Sequence, residues 1–143
     1  MTSPLERLVT TGGALAAEAA DASEIAGLRK SGRTRLADAR NACLSPESRF
    51  DLAYNAAHAL CLAALRQQGY RAKHRYIVFQ VLPHTLGLGP EVWRVLDKAH
   101  QARNLSEYEG HAEVDPILLR DLVAAAETVA ATIDALPDFV ERP

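Results

Sequence analysis

Arg103 is the residue whose position in the sequence asks for chemistry. When the segment that Pro90 opens is projected as a helix at about 100° per residue, Val92, Leu96 and Ala99 fall within about 40° of one direction. That direction is the face to be buried, and Arg103 lies in the middle of it. A guanidinium there must be paired, hydrogen-bonded or open to a cleft. His100, Asn104, Glu107 and Tyr108 share the sector beside it, while Arg94, Lys98 and Gln101 point away. An earlier apolar segment contributes Tyr54, Asn55 and His58, and the four-residue spacing puts Tyr54 and His58 on one helix face. The expectation is a shared polar pocket or interface near the end of the helix that carries Arg103. The plainer alternatives are that Arg103 snorkels at the end of a bundle or pairs with Glu107. Tyr54 and His58 would then be ordinary buried residues with satisfied polar tips.

Two basic clusters could hold phosphates: Arg29, Lys30, Arg33 and Arg35, and then Arg71, Lys73, His74 and Arg75. A solvated helix face and a solvated turn are the commoner explanations for such clusters. Aromatic interleaving is thin, with Tyr70 and Tyr76 alone nearby. Net charge is -2, which predicts no strong bulk attraction to nucleic acid. The charge is unevenly spread: residues 1–75 hold 11 Lys and Arg against 7 Asp and Glu (+4), and residues 76–143 hold 5 against 11 (-6), which hints at a basic face. His58, His74, His84, His100 and His111 form no close pair with carboxylates at metal-ligand spacing, so neither a metal nor a cofactor is expected.

These residues need elements to hold them. The chain has 143 residues, enough for one domain, and 48% of them are hydrophobic, the balance of a folded protein. A short helix is predicted over 4–9, broken by Gly12 and Gly13, with the alanine-rich stretch 14–20 able to continue as helix. Asp21 with Glu24 reads as a capping-box-like start to the first long helix. Its stripe is Ile25, Leu28, Gly32, Leu36, Ala39 and Cys43, with a kink or split foreseeable at Ser31 and Gly32. Ser45, Pro46 and Glu47 start the second, whose seam is Phe50, Ala53, Ala57, Leu60 and Ala64. That helix is apolar nearly all round, so it should be central. The ambiguous stretch 72–87 reads as helix interrupted near Pro83, since no second strand-like segment exists to pair with residues 76–79. Pro90 opens a helix ending before Gly110, and Asp115 with Pro116 opens the last, striped by Leu118, Leu122, Ala126, Val129, Ile133 and Leu136. The expectation is an all-α, antiparallel up-down bundle of four to five helices over 21–136. A short helix and linker over 1–20 precede it, and a frayed tail over 137–143 follows. Cys43 and Cys61 read as reduced, buried thiols. The absence of an apolar run of ~18 residues predicts no membrane span, and a start unlike a signal peptide points to a cytoplasmic location.

Segments 36–54, 57–74 and 93–110 resemble the HEPN family of prokaryotic helical proteins. The matching pieces are Leu36-Ala37-Asp38-Ala39, Arg49-Phe50 followed by Ala53-Tyr54, Gly69-Tyr70-Arg71, and Ala102-Arg103-Asn104 followed by Tyr108. With the helix pattern, the resemblance covers roughly residues 20–136. It implies a helical bundle that dimerises so that two arginine motifs face one cleft. It also implies a nucleotide- or RNA-related role, since many members are metal-independent ribonuclease toxins paired with a nucleotidyltransferase-type antitoxin. The family's catalytic motif is an arginine, a polar residue, and a histidine five places after the arginine. Arg103 and Asn104 match the first two positions, but the fifth place holds Tyr108. Tyrosine titrates near pH ~10 and is a poor general base. His100 and His111 are the candidate substitute proton carriers.

The leading expectation is therefore a HEPN-like module that binds a nucleotide, RNA or a partner protein, as a homodimer, without efficient nuclease activity. Its site would comprise Arg103, Asn104 and Tyr108 with Tyr54, Asn55, His58, Arg71, Lys73 and Arg75. The alternatives are a metal-independent ribonuclease toxin using His100 or His111, and a purely structural dimeric adaptor.

Overall fold

Local capping sets the helix starts. Asp21 accepts a hydrogen bond from the Glu24 N–H, Ser45 from Ser48 and Asp115 from Ile117, and proline occupies the first turn behind the last two. The computed structural model describes residues 3–109 and 113–137. In chain order the elements are α1 (Pro4–Thr10), β1 (Leu15–Ala17), α2 (Ala22–Ala39), α3 (Pro46–Gln67), β2 (Tyr70–Ala72), α4 (Ile77–Gln80), α5 (Leu82–Thr85), α6 (Pro90–Glu109) and α7 (Pro116–Asp134). The protein is thus mainly helical, with one small two-stranded sheet. No helix among the described residues is long and apolar enough to cross a membrane.

The central element is α3. Its Ala53, Tyr54, Ala56, Ala57, Leu60, Cys61, Ala63 and Leu65 are all fully buried, as an all-round apolar helix requires. Cross-helix contacts fix the directions. Arg66 bonds Glu24 and Arg49 bonds the Ala39 carbonyl, so α2 and α3 run antiparallel. Arg29 reaches Asp134 and Arg40 reaches Glu127, so α7 also runs antiparallel to α2. Midway along the α2–α3 contact, Gly32 lets the helices close: a Cβ there would meet Leu60 Cγ at 2.6 Å. The helix passes Ser31 and Gly32 without interruption, and the glycine there accommodates Leu60.

Three other expectations need correction. Residues 14–20 do not continue as helix. Gly12 and Gly13 adopt positive φ, and Leu15–Ala17 pairs antiparallel with Tyr70–Ala72, in register Leu15↔Ala72, Ala16↔Arg71 and Ala17↔Tyr70. Leu15 is fully buried, so the strand carries a core side chain. The second strand lies just after Gly69, whose φ of +92° turns the chain out of α3. Residues 76–79, the stretch that looked strand-like, fall at the start of α4 and within it. Cys43 is exposed, because α2 stops at Ala39 and leaves it in the connecting turn. Cys61 is buried, and burial pushes its thiol pKa up. In the α2 stripe, Arg29 takes the buried place expected for Leu28, which is partly buried.

Candidate functional site

Tyr54 anchors the site from the middle of α3. Its ring is fully buried, with Phe79 of α4 packed edge-on at 5.8 Å. Its hydroxyl lies 2.8 Å from His100 Nδ1 on α6. One turn further along α6, the Asn104 side-chain amide donates to His100 Nε2 at 3.2 Å. An imidazole nitrogen that accepts carries no proton, so Nδ1 holds it and donates to Tyr54. Both ring nitrogens of His100 are therefore engaged.

Two guanidiniums converge on the Tyr54 ring: Arg103 lies 4.8 Å and Arg75 5.6 Å from its centroid. Both distances fall within cation–π range. Arg75 Nη2 also donates to Asn55 Oδ1 at 2.7 Å, which leaves its charge on a neutral amide. His58, one turn along α3 from Tyr54, packs edge-on against Phe79. Its Nε2 is buried and has no hydrogen-bond partner among the described residues. Burial first, then the charge of Arg75, with smaller contributions from Arg103 and His100, lower the pKa of His58 to about 4. A hydrogen bond to the Arg75 backbone opposes the shift without cancelling it. His58 is neutral at physiological pH, chiefly because it is buried.

Of the residues foreseen, Tyr54, Asn55, His58, Arg75, His100, Arg103 and Asn104 come together. The side chains of Glu107 and Tyr108, and His111 altogether, lie outside the described residues. Arg71 belongs elsewhere: it binds Glu18 and Glu24, beside the buried Arg66. Lys73 is exposed, with its ammonium over the Gly13 turn. Half of the first basic cluster is also structural, since Arg29 and Arg33 tie α2 to Asp134 at the end of α7.

Sequence reasoning missed Tyr76 and Phe79 as members of the site. Tyr76 stacks on His100 with centroids 5.4 Å apart and planes 22° from parallel. The available signal was Tyr76 following Arg75 directly, ahead of an apolar turn that had to pack somewhere. A surface hollow of about 480 Å³ between the starts of α3 and α7 is lined by Pro46, Arg49, Leu119, Arg120 and Glu127 and includes none of these residues. Among the described residues no group of three or more His, Cys, Asp or Glu is placed to hold a metal. Comparison of the chain with family models, curated proteins and solved structures gives no match.

Proposed function

We propose that the chain is a HEPN-like binding module that takes a nucleotide or RNA phosphate at the cluster around Tyr54. The observation that carries the reading is the convergence of Arg75 and Arg103 on one buried aromatic ring. A guanidinium held in place binds a phosphate with little further loss of side-chain freedom. The two guanidiniums bring the sign of charge that a phosphate needs. Asn104 and Tyr54 fix His100 as a wall of the site, and Asn55 aims Arg75.

Binding has more support here than cleavage. A ribonuclease without metal needs a proton carrier with a nitrogen open to the ribose hydroxyl. His100 has both nitrogens occupied by protein groups, and His58 binds its proton only near pH 4. The test is affinity for a short single-stranded RNA. Arg103→Ala is expected to weaken binding at least about tenfold, the usual scale of a lost charge-assisted contact, while Arg94→Ala on the opposite face of α6 leaves it unchanged. Equal affinities for the two variants would remove the site. RNA that stays intact with the wild-type protein is also expected, and cleavage abolished by His100→Ala would favour the nuclease instead.

A further inference from the structure

Three side chains of one α3 turn meet Arg75. Tyr54 and Asn55 stand four and three residues before His58, so both are its neighbours on the helix surface. The Arg75 guanidinium is held over this turn by Asn55 Oδ1 at 2.7 Å and by the Tyr54 ring at 5.6 Å. Both of these partners are neutral, and Arg75 is exposed. Swinging the guanidinium into water therefore costs one hydrogen bond to an amide and one cation–π contact. His58 completes the turn. Its ring packs edge-on against Phe79 of α4, and its buried Nε2 has no hydrogen-bond partner among the described residues. The ring's bond to the Arg75 backbone is thus made by Nδ1. That bond favours the charged ring, so Nδ1–H donates to the Arg75 carbonyl. Nε2 is the atom left to take a proton. From α6, Arg103 and His100 act on the same ring, the first half-buried and the second with both nitrogens engaged by Tyr54 and Asn104.

We propose that Arg75 is an acid-released cover on Tyr54: its guanidinium over the ring and a proton on His58 Nε2 exclude each other. The switch is independent of the phosphate reading, since it operates in the chain without ligand. A proton on Nε2 puts an imidazolium one helical turn from a guanidinium, at a site shielded from water, where like charges repel most. Of the two guanidiniums that act on His58, Arg103 is half-buried on a helix, while Arg75 is exposed on a connector. Arg75 is therefore the one that yields. Its backbone stays, because a charged ring donates more strongly to the Arg75 carbonyl. The side chain leaves Asn55 and the Tyr54 ring, and the chain path between β2 and α4 is kept. The helix that follows holds its place as well, since Ile77, Val78 and Phe79 are buried. Acid thus removes one of two guanidiniums from a buried aromatic ring and leaves the helices packed.

The experiment follows the full chain by nuclear magnetic resonance from neutral pH down to about 3.5. It reads the ring signals of His58 and His100, and the through-space contacts between the Arg75 side chain and the Tyr54 ring. In the wild type those contacts are expected to vanish over the pH interval in which His58 titrates, with near-UV circular dichroism unchanged. Arg75→Gln keeps a polar side chain there and deletes the charge. It should raise the His58 midpoint by about one pH unit, the scale of one nearby like charge. Asn55→Ala cuts the tether and should raise the midpoint by less. In His58→Gln the Arg75 contacts should persist to the lowest pH. Contacts that survive the His58 titration in the wild type would overturn the proposal, and so would an unmoved midpoint in Arg75→Gln. Loss of the contacts at the same pH in His58→Gln, or in step with His100, would place the trigger elsewhere and overturn it too. So would a loss that coincides with unfolding of the whole chain.

Discussion

Two arginine clusters gather against α3, at Arg66 and at Tyr54, about 18 Å apart along its axis, twelve residues at the helical rise, and they are built in opposite ways. At the C-terminal end, Arg66 is 1% exposed and its guanidinium is saturated by Glu24, Glu18 and the carbonyls of Glu18, Ala19 and Tyr70. Arg71 joins the same two carboxylates. Hydrogen bonds from Arg71 and then Arg66 hold the Glu24 carboxyl below its ordinary range. Charge there closes on itself, and the network ties β1, β2 and the start of α2 to the core. In the middle of α3 the arginines meet aromatic faces and an amide. At His58 the charges of Arg75 and Arg103 act in one direction. The same residue type meets acids and carbonyls in the one cluster, and aromatic rings and an amide in the other.

The largest test of that contrast is stability. Arg66→Ala strips a buried cation from two acids and three carbonyls, and is expected to lower the unfolding free energy by about 3 kcal/mol. Arg103→Ala takes a guanidinium off the Tyr54 ring and is expected to lower it by less, about 1 kcal/mol. Denaturant titration measures both, and equal losses would erase the distinction.

The next test is pH. His58 binds its proton near pH 4 in the folded chain against an ordinary 6.5, so the unfolded state holds more protons between those values. Stability contributed by neutral His58 is full at pH 7, falls as the pH drops through 6.5, and stops falling near 4. Between pH 7 and 5 the loss is about 2 kcal/mol, and His58→Gln should flatten that part of the profile. The Glu24 carboxyl, shifted down, contributes stability that is present above its ordinary range and is lost only as the pH falls below it. The two clusters thus fail in separate pH windows, and Glu24→Gln should alter only the more acidic one.

A smaller effect comes from Tyr54→Phe, which keeps the ring for both guanidiniums and deletes only the bond to His100. A loss of about 1 kcal/mol is expected, with Arg103-dependent binding retained. Loss of binding in this variant would mean that the hydroxyl, and not the ring, organises the site.

Much of this was legible in the sequence where local rules decide. The caps at Asp21, Ser45 and Asp115 gave three helix starts, and the spacing of Tyr54 with His58, and of His100 with Asn104, placed each pair on one face. The β1–β2 pair was not legible, because three-residue strands carry too little periodicity and Leu15 meets its partner Ala72 far along the chain. That pairing also separated Arg71 from Arg75. In sequence they form one basic cluster, but the strand register turns Arg71 toward Glu18 and Glu24, while Arg75 lies beyond the strand and reaches Asn55. Tyr76 escaped notice because its stacking partner lies on α6, which no local rule brings near.

The most direct measurement of the central claim is the salt dependence of affinity for single-stranded RNA. If Arg103 contacts a phosphate, Arg103→Ala should make the slope of log affinity against log salt shallower by about 0.7, the value for one phosphate on a single strand. Arg94→Ala should keep the wild-type slope. An unchanged slope in Arg103→Ala, or the same change in both variants, would contradict the account.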